Sequence, residues 1–339
     1  MIRYIFLSLL LLTVSCSNKS TNIITLKSWC NIGVRGINIA GAEFGAKNLP
    51  GRRNYDYFFL DENRVKYYQV AGFNSIRLPI LWERLQPELN QPLDSYYLSG
   101  IKDSLRIAER YGMWLILDLH NYGYYRKKKI GSAEVSARSF ADTWYRLVHE
   151  LKDYPALLGY GLMNEPHGLG AKNWEQFAQQ AVNSIRKVDP LRFILVAGEH
   201  WSNANRFSRL HPLPFIEDPA NRVVYEAHAY FDKNQSGTYQ NGYDAASKQI
   251  AVERIESFLD WLSHHNQHGF IGEFSVPGND SRWLLVLDHF MQQLDKHGNC
   301  VGWAYWAGGR WSPTYSMALE PIDGQDRPQL QVLQKYLKD

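Results

Sequence analysis

Short apolar runs alternate with longer amphipathic segments along most of the chain, beginning near residue 30. Most of the apolar runs are continuous and do not alternate with polar residues, which is the pattern of strands that are covered on both faces in a parallel sheet. The sequence predicts eight such strands, at residues 34–39, 75–78, 114–119, 158–163, 193–197, 223–227, 270–274 and 301–306.

The segments between these strands carry apolar residues at helical spacing. They predict helices at residues 63–71, 96–111, 139–152, 174–188, 245–265, 282–296 and 328–337. No helix is predicted after the fifth strand, because residues 212–219 are rich in proline. Strands and helices that alternate in this way predict an α/β fold, a single-domain (β/α)8 TIM barrel over residues 29–339. The chain lacks the glycine-rich turn that is typical of a doubly wound nucleotide-binding sheet.

The N-terminal segment has the pattern of an export signal. Residues 5–14 form an apolar run of ten residues that is too short to span a bilayer as a helix. The sequence up to Cys16 resembles a bacterial lipoprotein cleavage site, which predicts a signal peptide at 1–15, a lipid anchor at Cys16 and a tether at 16–28. Ordinary cleavage is the alternative, because Thr13 stands where the lipoprotein pattern usually has Leu. We expect a bacterial cell-surface or periplasmic lipoprotein, or a secreted protein.

The predicted barrel brings two cysteines together. Cys30 precedes the first strand and Cys300 precedes the eighth, and closure of a barrel makes these strands neighbours at the same end. A disulfide between them is therefore one hypothesis, and two separate thiols are the other.

Charge and composition narrow the class of partner. The formal net charge is only +3 and is spread over 339 residues, so we expect no nucleic-acid partner. Aromatic residues make up 14% of the chain and include 11 Trp, which is more than a core of this size needs. We expect some of them to lie on a binding surface, and we expect a monomer that contacts the membrane only through the lipid anchor.

Polar and aromatic residues stand at the ends of six predicted strands. The working groups of barrel enzymes project from the carboxyl ends of the strands, so these side chains are expected to share one pocket. They are Arg77, His120, Asn164, Glu165, His228, Tyr230, Glu273 and Trp306.

Glu165 and Glu273 follow strands four and seven, which places two carboxyl groups across the barrel mouth from each other. This arrangement suits cleavage of a glycosidic bond, in which one carboxyl group protonates the leaving oxygen and the other attacks carbon. A single Glu at a strand end is more often a structural residue. The matching polar residues on the other strands favour the catalytic interpretation.

Seven motifs in order along the chain resemble glycoside hydrolase family 5, and most closely its subfamily of endo-β-1,4-glucanases (cellulases). The resemblance covers residues 34–321. The motifs are GINIAGAEFG at 36–45, RLP at 77–79, DLHNY at 118–122, MNEPH at 163–167, YEAHAY at 225–230, IGEF at 271–274 and WAGG at 306–309.

The resemblance implies a retaining mechanism with Glu165 as acid/base and Glu273 as nucleophile. Arg77 and Tyr230 are then expected to stabilise the ionised form of Glu273. The two carboxyl groups are expected about 5 to 5.5 Å apart, as in retaining enzymes. The expected substrate is a β-glucan polysaccharide or oligosaccharide, and no metal or cofactor is expected.

The same resemblance assigns the sugar contacts. His228 is expected beside Glu165, Asn164 on the sugar 2-hydroxyl, and His120 on hydroxyls of the same ring above Trp306. Trp201 and Trp311 lie on predicted rim loops and are candidates for stacking on further sugar units, with simple packing as the alternative. Glu43 and Glu199 could border the cleft, but they are expected to form structural ion pairs.

Other functions remain open on the sequence alone. His120, His228 and a Glu could ligate zinc, but their spacing matches no metal signature. A β-mannanase or xyloglucanase could use the same residues, because loop contacts set the substrate. A lipoprotein that binds glycans without cleaving them is a third possibility. The basic run at 126–129 is expected to be a solvated loop, with an acidic polysaccharide or anionic surface as the alternative partner.

Overall fold

The computed structural model describes residues 28–244 and 247–337. The predicted signal peptide and lipid anchor, and the tether up to residue 27, lie outside the described residues. Among the described residues, no helix is both long enough and apolar enough to cross a membrane.

Eight parallel strands close into a barrel, which confirms the predicted fold. Each strand pairs with its neighbours in the chain, and the eighth pairs with the first. The strands are β1 Arg35–Ala40, β2 Ser75–Ile80, β3 Trp114–Leu119, β4 Leu157–Gly161, β5 Phe193–Ala197, β6 Val223–His228, β7 His268–Glu273 and β8 Val301–Gly309. Nearly every strand residue is buried, as the continuous apolar runs predict.

Helices surround the barrel at or near the predicted positions. Several begin at a side chain that caps the first turn, such as Asp61, Asp94 and Ser136. The helices that cover the sheet are Glu62–Ala71, Ser95–Arg110, Ala137–Leu151, Ala171–Arg186, Ala204–Leu210, Ser247–His264, Ser281–Lys296 and Pro328–Leu333.

The helix Ala204–Leu210 is absent from the sequence-based prediction. It ends just before the proline-rich segment and buries Phe207 against the barrel. Short helices also occur at Trp29–Ile32 and Trp82–Leu85, where the sequence predicts none.

Cys30 and Cys300 form a disulfide, so the paired hypothesis is confirmed. The bond joins the helix Trp29–Ile32 to the turn Gly298–Cys300, immediately before β1 and β8. It therefore links the two ends of the barrel sheet on the side opposite the carboxyl ends of the strands.

The barrel interior is apolar toward the amino ends of the strands, the lower end, and charged toward their carboxyl ends, the upper end. Trp29 fills the lower end, packs edge-on against Phe193 and Phe270, and donates a hydrogen bond from Nε1 to the Gly269 carbonyl. Residues two apart on a strand face the same way. Ile116 and Val224 belong to this apolar cluster, and the residues two further along β3 and β6 are Asp118 and Glu226. A charged layer therefore begins directly above the apolar one.

Candidate active site

Arg77 lies at the centre of the charged layer. Its guanidinium group is fully buried and forms ion pairs with Asp118 at 2.9 Å, Glu226 at 3.0 Å and Glu273 at 3.2 Å. It also donates to Asn38 Oδ1 at 2.9 Å. Burial lowers the pKa of Arg77, but the three carboxylates outweigh burial and the net shift is upward. Arg77 is thus a fixed positive charge beneath the cleft.

Glu273 ends β7 with hydrogen-bond donors at both carboxylate oxygens. Oε1 accepts from Arg77 at 3.2 Å, and Oε2 accepts from the Tyr230 hydroxyl at 2.7 Å. Burial raises the pKa of Glu273 and the charge of Glu165 adds to this, whereas His228 and Arg77 oppose the rise. Burial also raises the pKa of Tyr230, which keeps its hydroxyl protonated as a donor.

Glu165 follows β4 and faces Glu273. Its backbone φ is +44°, a left-handed conformation that costs a residue other than glycine about 1–3 kcal/mol. One oxygen of Glu165, one oxygen of Glu273 and one ring nitrogen of His228 all lie within 4.8 Å of one another. This spacing agrees with the close pair of carboxyl groups in retaining glycosidases and leaves no room for the wider inverting arrangement.

His228 lies between two carboxylates. Nδ1 is 2.8 Å from Glu165 Oε1, and Nε2 is 3.2 Å from Glu226 Oε1. Burial lowers the pKa of His228, but Glu273, Glu165 and Glu226 outweigh burial and raise it to about 10. The ring therefore carries a positive charge at neutral pH and donates from both nitrogens, which makes it a poor metal ligand despite the metal-like spacing.

The glycine at position 272 makes this contact possible. A Cβ atom there would lie 2.0 Å from Oε1 of Glu226 and 2.9 Å from Nε2 of His228. Any side chain at this position would displace the carboxylate that supports His228.

Asn164 and His120 form a second chain of polar contacts. Asn164 Oδ1 accepts from Arg77 at 2.8 Å, so its amide nitrogen faces His120 Nε2 at 3.3 Å. The other nitrogen of His120 is 2.8 Å from Asp118 Oδ2. Burial lowers the pKa of His120, but Asp118 outweighs burial and the net shift is upward. These contacts fix the orientation of both side chains.

Trp306 ends the barrel wall beside His120. The two rings are stacked, with centroids 5.5 Å apart and planes 13° from parallel. The peptide bond between Trp306 and Ala307 is cis. Trp306 Nε1 donates to the Tyr315 hydroxyl at 3.2 Å, and this contact holds the indole in place with a surface in the catalytic cavity.

Three adjoining cavities open at the carboxyl ends of the strands, and Tyr122 lines all three. The catalytic cavity, about 510 Å³, is lined by Glu165, Glu273 and Trp306. The Trp201 cavity, about 450 Å³, is lined by Glu165 but not by Glu273. The Glu43 cavity, about 590 Å³, adjoins the catalytic cavity at His120.

The two outer tryptophans have different settings. Trp201 is 46% exposed, stacks on His167 at 4.3 Å, and lies in a turn of three successive left-handed residues, 200–202. Trp311 is half-buried, stacks on Tyr315 at 4.4 Å and packs edge-on against Phe44. The structure brings Trp201 to the cleft directly, whereas Trp311 reaches it through its contact with Trp306.

Three members of the charged layer, Asn38, Asp118 and Glu226, are absent from the sequence-based prediction, and so is Tyr122, which lines all three cavities. Asp118 and Glu226 each stand two residues before a site histidine, His120 and His228, so strand alternation gives the signal for them. Asn38 carries no comparable signal, since an amide in an apolar strand has many uses.

The expected ion pairs of Glu43 and Glu199 are wrong. Glu43 Oε2 accepts from the Gly41 backbone N–H at 2.8 Å. Glu199 Oε1 accepts from the backbone N–H groups of Leu169 and Gly170, each at 3.2 Å. Neither carboxyl group forms an ion pair with another described side chain, because the loops bring backbone donors to them instead.

Comparison with known proteins places the chain among cellulases. A family model described as cellulase (glycosyl hydrolase family 5) matches residues 37–309. Endo-beta-1,4-glucanase B of Emericella nidulans is 31% identical over 292 residues, which cover 85% of this chain and 86% of that protein.

Two solved structures extend the comparison. The Pseudomonas stutzeri endoglucanase in complex with cellobiose is 39% identical, with a TM-score of 0.86 and coverage of 91% of this chain and 93% of that chain. An endo-beta-1,4-glucanase of Xanthomonas axonopodis pv. citri is 34% identical, with a TM-score of 0.84 and coverage of 90% and 98%.

Proposed function

The chain belongs to glycoside hydrolase family 5, and from this premise we propose that it is a retaining endo-β-1,4-glucanase. It hydrolyses internal β-1,4-glucosidic bonds of cellulose or soluble β-glucan by double displacement. The observation that carries the proposal is the pair of facing carboxyl groups, Glu165 and Glu273, with oxygens within 4.8 Å of each other.

In the first step, Glu273 attacks the anomeric carbon and Glu165 donates a proton to the leaving oxygen. The bond from carbon to the leaving oxygen breaks, and an ester between Glu273 and the sugar forms. Arg77 and Tyr230 hold the attacking carboxylate in position through the hydrogen bonds at its two oxygens.

In the second step, Glu165 takes a proton from water, and the water oxygen attacks the anomeric carbon. The ester bond breaks and Glu273 leaves as a carboxylate. His228 Nδ1, 2.8 Å from Glu165 Oε1, holds the Glu165 carboxyl group in position for this step.

The remaining predicted site residues bind sugar. Trp306 stacks under the ring that undergoes attack, and His120 and Asn164 bind its hydroxyl groups. The leaving group occupies the Trp201 cavity, because that cavity includes the acid but not the nucleophile. Trp311 packs edge-on against Trp306 and supports it.

Cleavage of internal bonds requires room for sugar units on both sides of the scissile bond. The Trp201 cavity and the Glu43 cavity each share lining residues with the catalytic cavity, and this additional room supports an endo mode of action. Relatives named as endo-β-1,4-glucanases, one of them solved with cellobiose, support a β-glucan substrate.

We also propose that the protein is exported and monomeric. The apolar run at 5–14 and the disulfide between Cys30 and Cys300 support export, because disulfides persist in oxidising compartments. A lipid anchor at Cys16 would be its one attachment to a membrane, and Cys16→Ser would release the protein into the soluble fraction.

The test is hydrolysis of cellopentaose and barley β-glucan, with mannan and xyloglucan compared on the same scale. We expect short cello-oligosaccharides whose new reducing ends appear first as the β-anomer in proton NMR. Glu165→Gln and Glu273→Gln should each abolish most turnover without lowering Tm. Initial release of the α-anomer, faster cleavage of mannan or xyloglucan, or binding without products would refute the proposal.

A further inference from the structure

Glu43 is a buried carboxyl group that the mechanism does not use. It lies on the loop after β1, is 9% exposed, and lines the Glu43 cavity together with Lys127 and His167. His120 and Tyr122 line both this cavity and the catalytic one. A sugar unit in the Glu43 cavity would therefore be next to the unit that stacks on Trp306.

The hydrogen bonds of this carboxyl group come from the backbone. Oε2 accepts from Gly41 N–H at 2.8 Å, and among residues 28–244 and 247–337 no side chain donates to either oxygen. A buried carboxyl group without a charged partner is costly to the fold. Burial accordingly raises the pKa of Glu43 to about 7, with His120 opposing the rise.

The charged groups around Glu43 do not neutralise it. Arg84 donates instead to the backbone carbonyls of Ala42, Phe44, Gly45 and Pro50. His120 is hydrogen-bonded to Asp118, which repels Glu43. Glu83 and Lys127 are the other charged groups of the cavity, and Tyr97 and Tyr122 also face Glu43.

We propose that Glu43 is a further substrate-binding residue, whose carboxyl group binds a hydroxyl group of the glucose unit next to the one under attack. The inference rests on the proposed function, since it requires a β-glucan chain in the cleft. An apolar residue would be less costly to the fold at this buried position. Binding of a sugar hydroxyl explains why the chain has a carboxyl group there. A neutral carboxyl group both donates and accepts, which suits a hydroxyl partner.

Lys127 provides the alternative partner for this cavity. It stands at the tip of a hairpin formed by Tyr124–Tyr125 and Lys128–Lys129, and it lines the Glu43 cavity. Lys128, in contrast, pairs with Glu134 at 2.9 Å. If Lys127 rather than Glu43 selects the ligand, the cavity would favour an anionic substituent on the glucan.

The test compares Glu43→Ala, Glu43→Gln and Lys127→Met with wild type on cellopentaose, with Lys129→Met as the control for charge loss in the same hairpin. We expect Glu43→Ala to raise KM about tenfold, the loss of one hydrogen bond to a buried group, with kcat within twofold. Glu43→Gln keeps a donor and an acceptor and should stay within threefold in KM.

Two outcomes would overturn the inference. One is an unchanged KM in a folded Glu43→Ala variant. The other is a selective effect of Lys127→Met: a kcat/KM that falls on carboxymethylcellulose but not on hydroxyethylcellulose, each relative to wild type, with no such difference in Glu43→Ala. Wild type that hydrolyses no glucan would refute the proposed function itself, whereas active wild type matched by Glu43→Ala would refute only the role of Glu43.

A second measurement covers the case in which Glu43→Ala does not fold. Carbon-13 NMR of the side-chain carboxyl groups in the Glu273→Gln background can follow Glu43 during titration with cellopentaose, using Glu43→Gln to assign its resonance. We expect the Glu43 resonance to shift on binding. A resonance that stays fixed while Trp fluorescence reports saturation would exclude contact with the sugar.

Discussion

The Tyr230 hydroxyl lies 2.7 Å from Oε2 of Glu273, on the oxygen that Arg77 does not contact. Tyr230→Phe removes this donor while keeping the ring. Because the donor favours the ionised carboxylate, the pKa of Glu273 should rise, and the acidic limb of the kcat/KM profile should move to higher pH. We expect kcat to fall by up to roughly 100-fold, because the carboxylate loses a contact that positions it for attack. An unshifted acidic limb would show that Tyr230 does not affect the pKa of Glu273.

His228 makes the stability of the fold depend on pH. Its pKa in the folded protein is about 10, against an ordinary value of 6.5, so the folded state binds more protons than the unfolded state between these values. The contribution is complete below pH 6.5 and is lost as pH rises toward 10, with a size of roughly 5 kcal/mol. Urea unfolding of wild type should show this decline, and His228→Gln should show a flatter one. Parallel pH profiles for the two proteins would contradict a charged His228.

Glu43 acts on stability at lower pH. Its pKa is raised from 4.5 to about 7 in the folded protein, so the folded state again binds more protons, here between pH 4.5 and 7. Stability is lost as pH rises through this window, by roughly 2–4 kcal/mol. Glu43→Gln cannot ionise, so its advantage in Tm over wild type should grow from pH 4.5 to pH 8. A constant difference across that range would mean that Glu43 is not buried in its ionised form.

The disulfide joins residues 270 positions apart, on the side of the barrel away from the cleft. Replacing Cys30 and Cys300 together by Ser removes a constraint on the unfolded chain, and we expect a loss of about 4 kcal/mol in the free energy of unfolding. Activity at temperatures well below Tm should be unchanged, because no site residue contacts either sulfur. A loss of kcat in the folded double variant would require a link between the lower end of the barrel and the cleft.

The strands could be predicted from the sequence because burial on both faces leaves a continuous apolar run. Every predicted strand overlaps an observed one, and β3 and β5 have the predicted bounds. The helix Ala204–Leu210 escaped prediction because seven residues give too few turns for a periodic pattern and prolines follow closely. The strand-end residues were predictable for the same topological reason as the fold, since parallel strands of a barrel all end at one rim.

The contacts beneath the catalytic pair could not be predicted from the sequence. The alternation on β3 and β6 could have indicated Asp118 and Glu226, but their shared partner Arg77 depends on three strands meeting across the barrel. The partner of Glu43 depends on the path of the loop around Gly41, which no local pattern determines. The sequence therefore does not determine whether a charged side chain in a loop pairs with another side chain or with the backbone.

The plug of Trp29, Phe193 and Phe270 closes the floor beneath the charged layer. Protons that Glu165 exchanges with bulk water must therefore travel through the open mouth and past the Trp201 cavity. A released cello-oligosaccharide that lingers there blocks the approach of water and offers its own hydroxyl group to the glycosyl ester. Transglycosylation should accordingly increase as product accumulates, and the enzyme should synthesise longer cello-oligosaccharides at high sugar concentration.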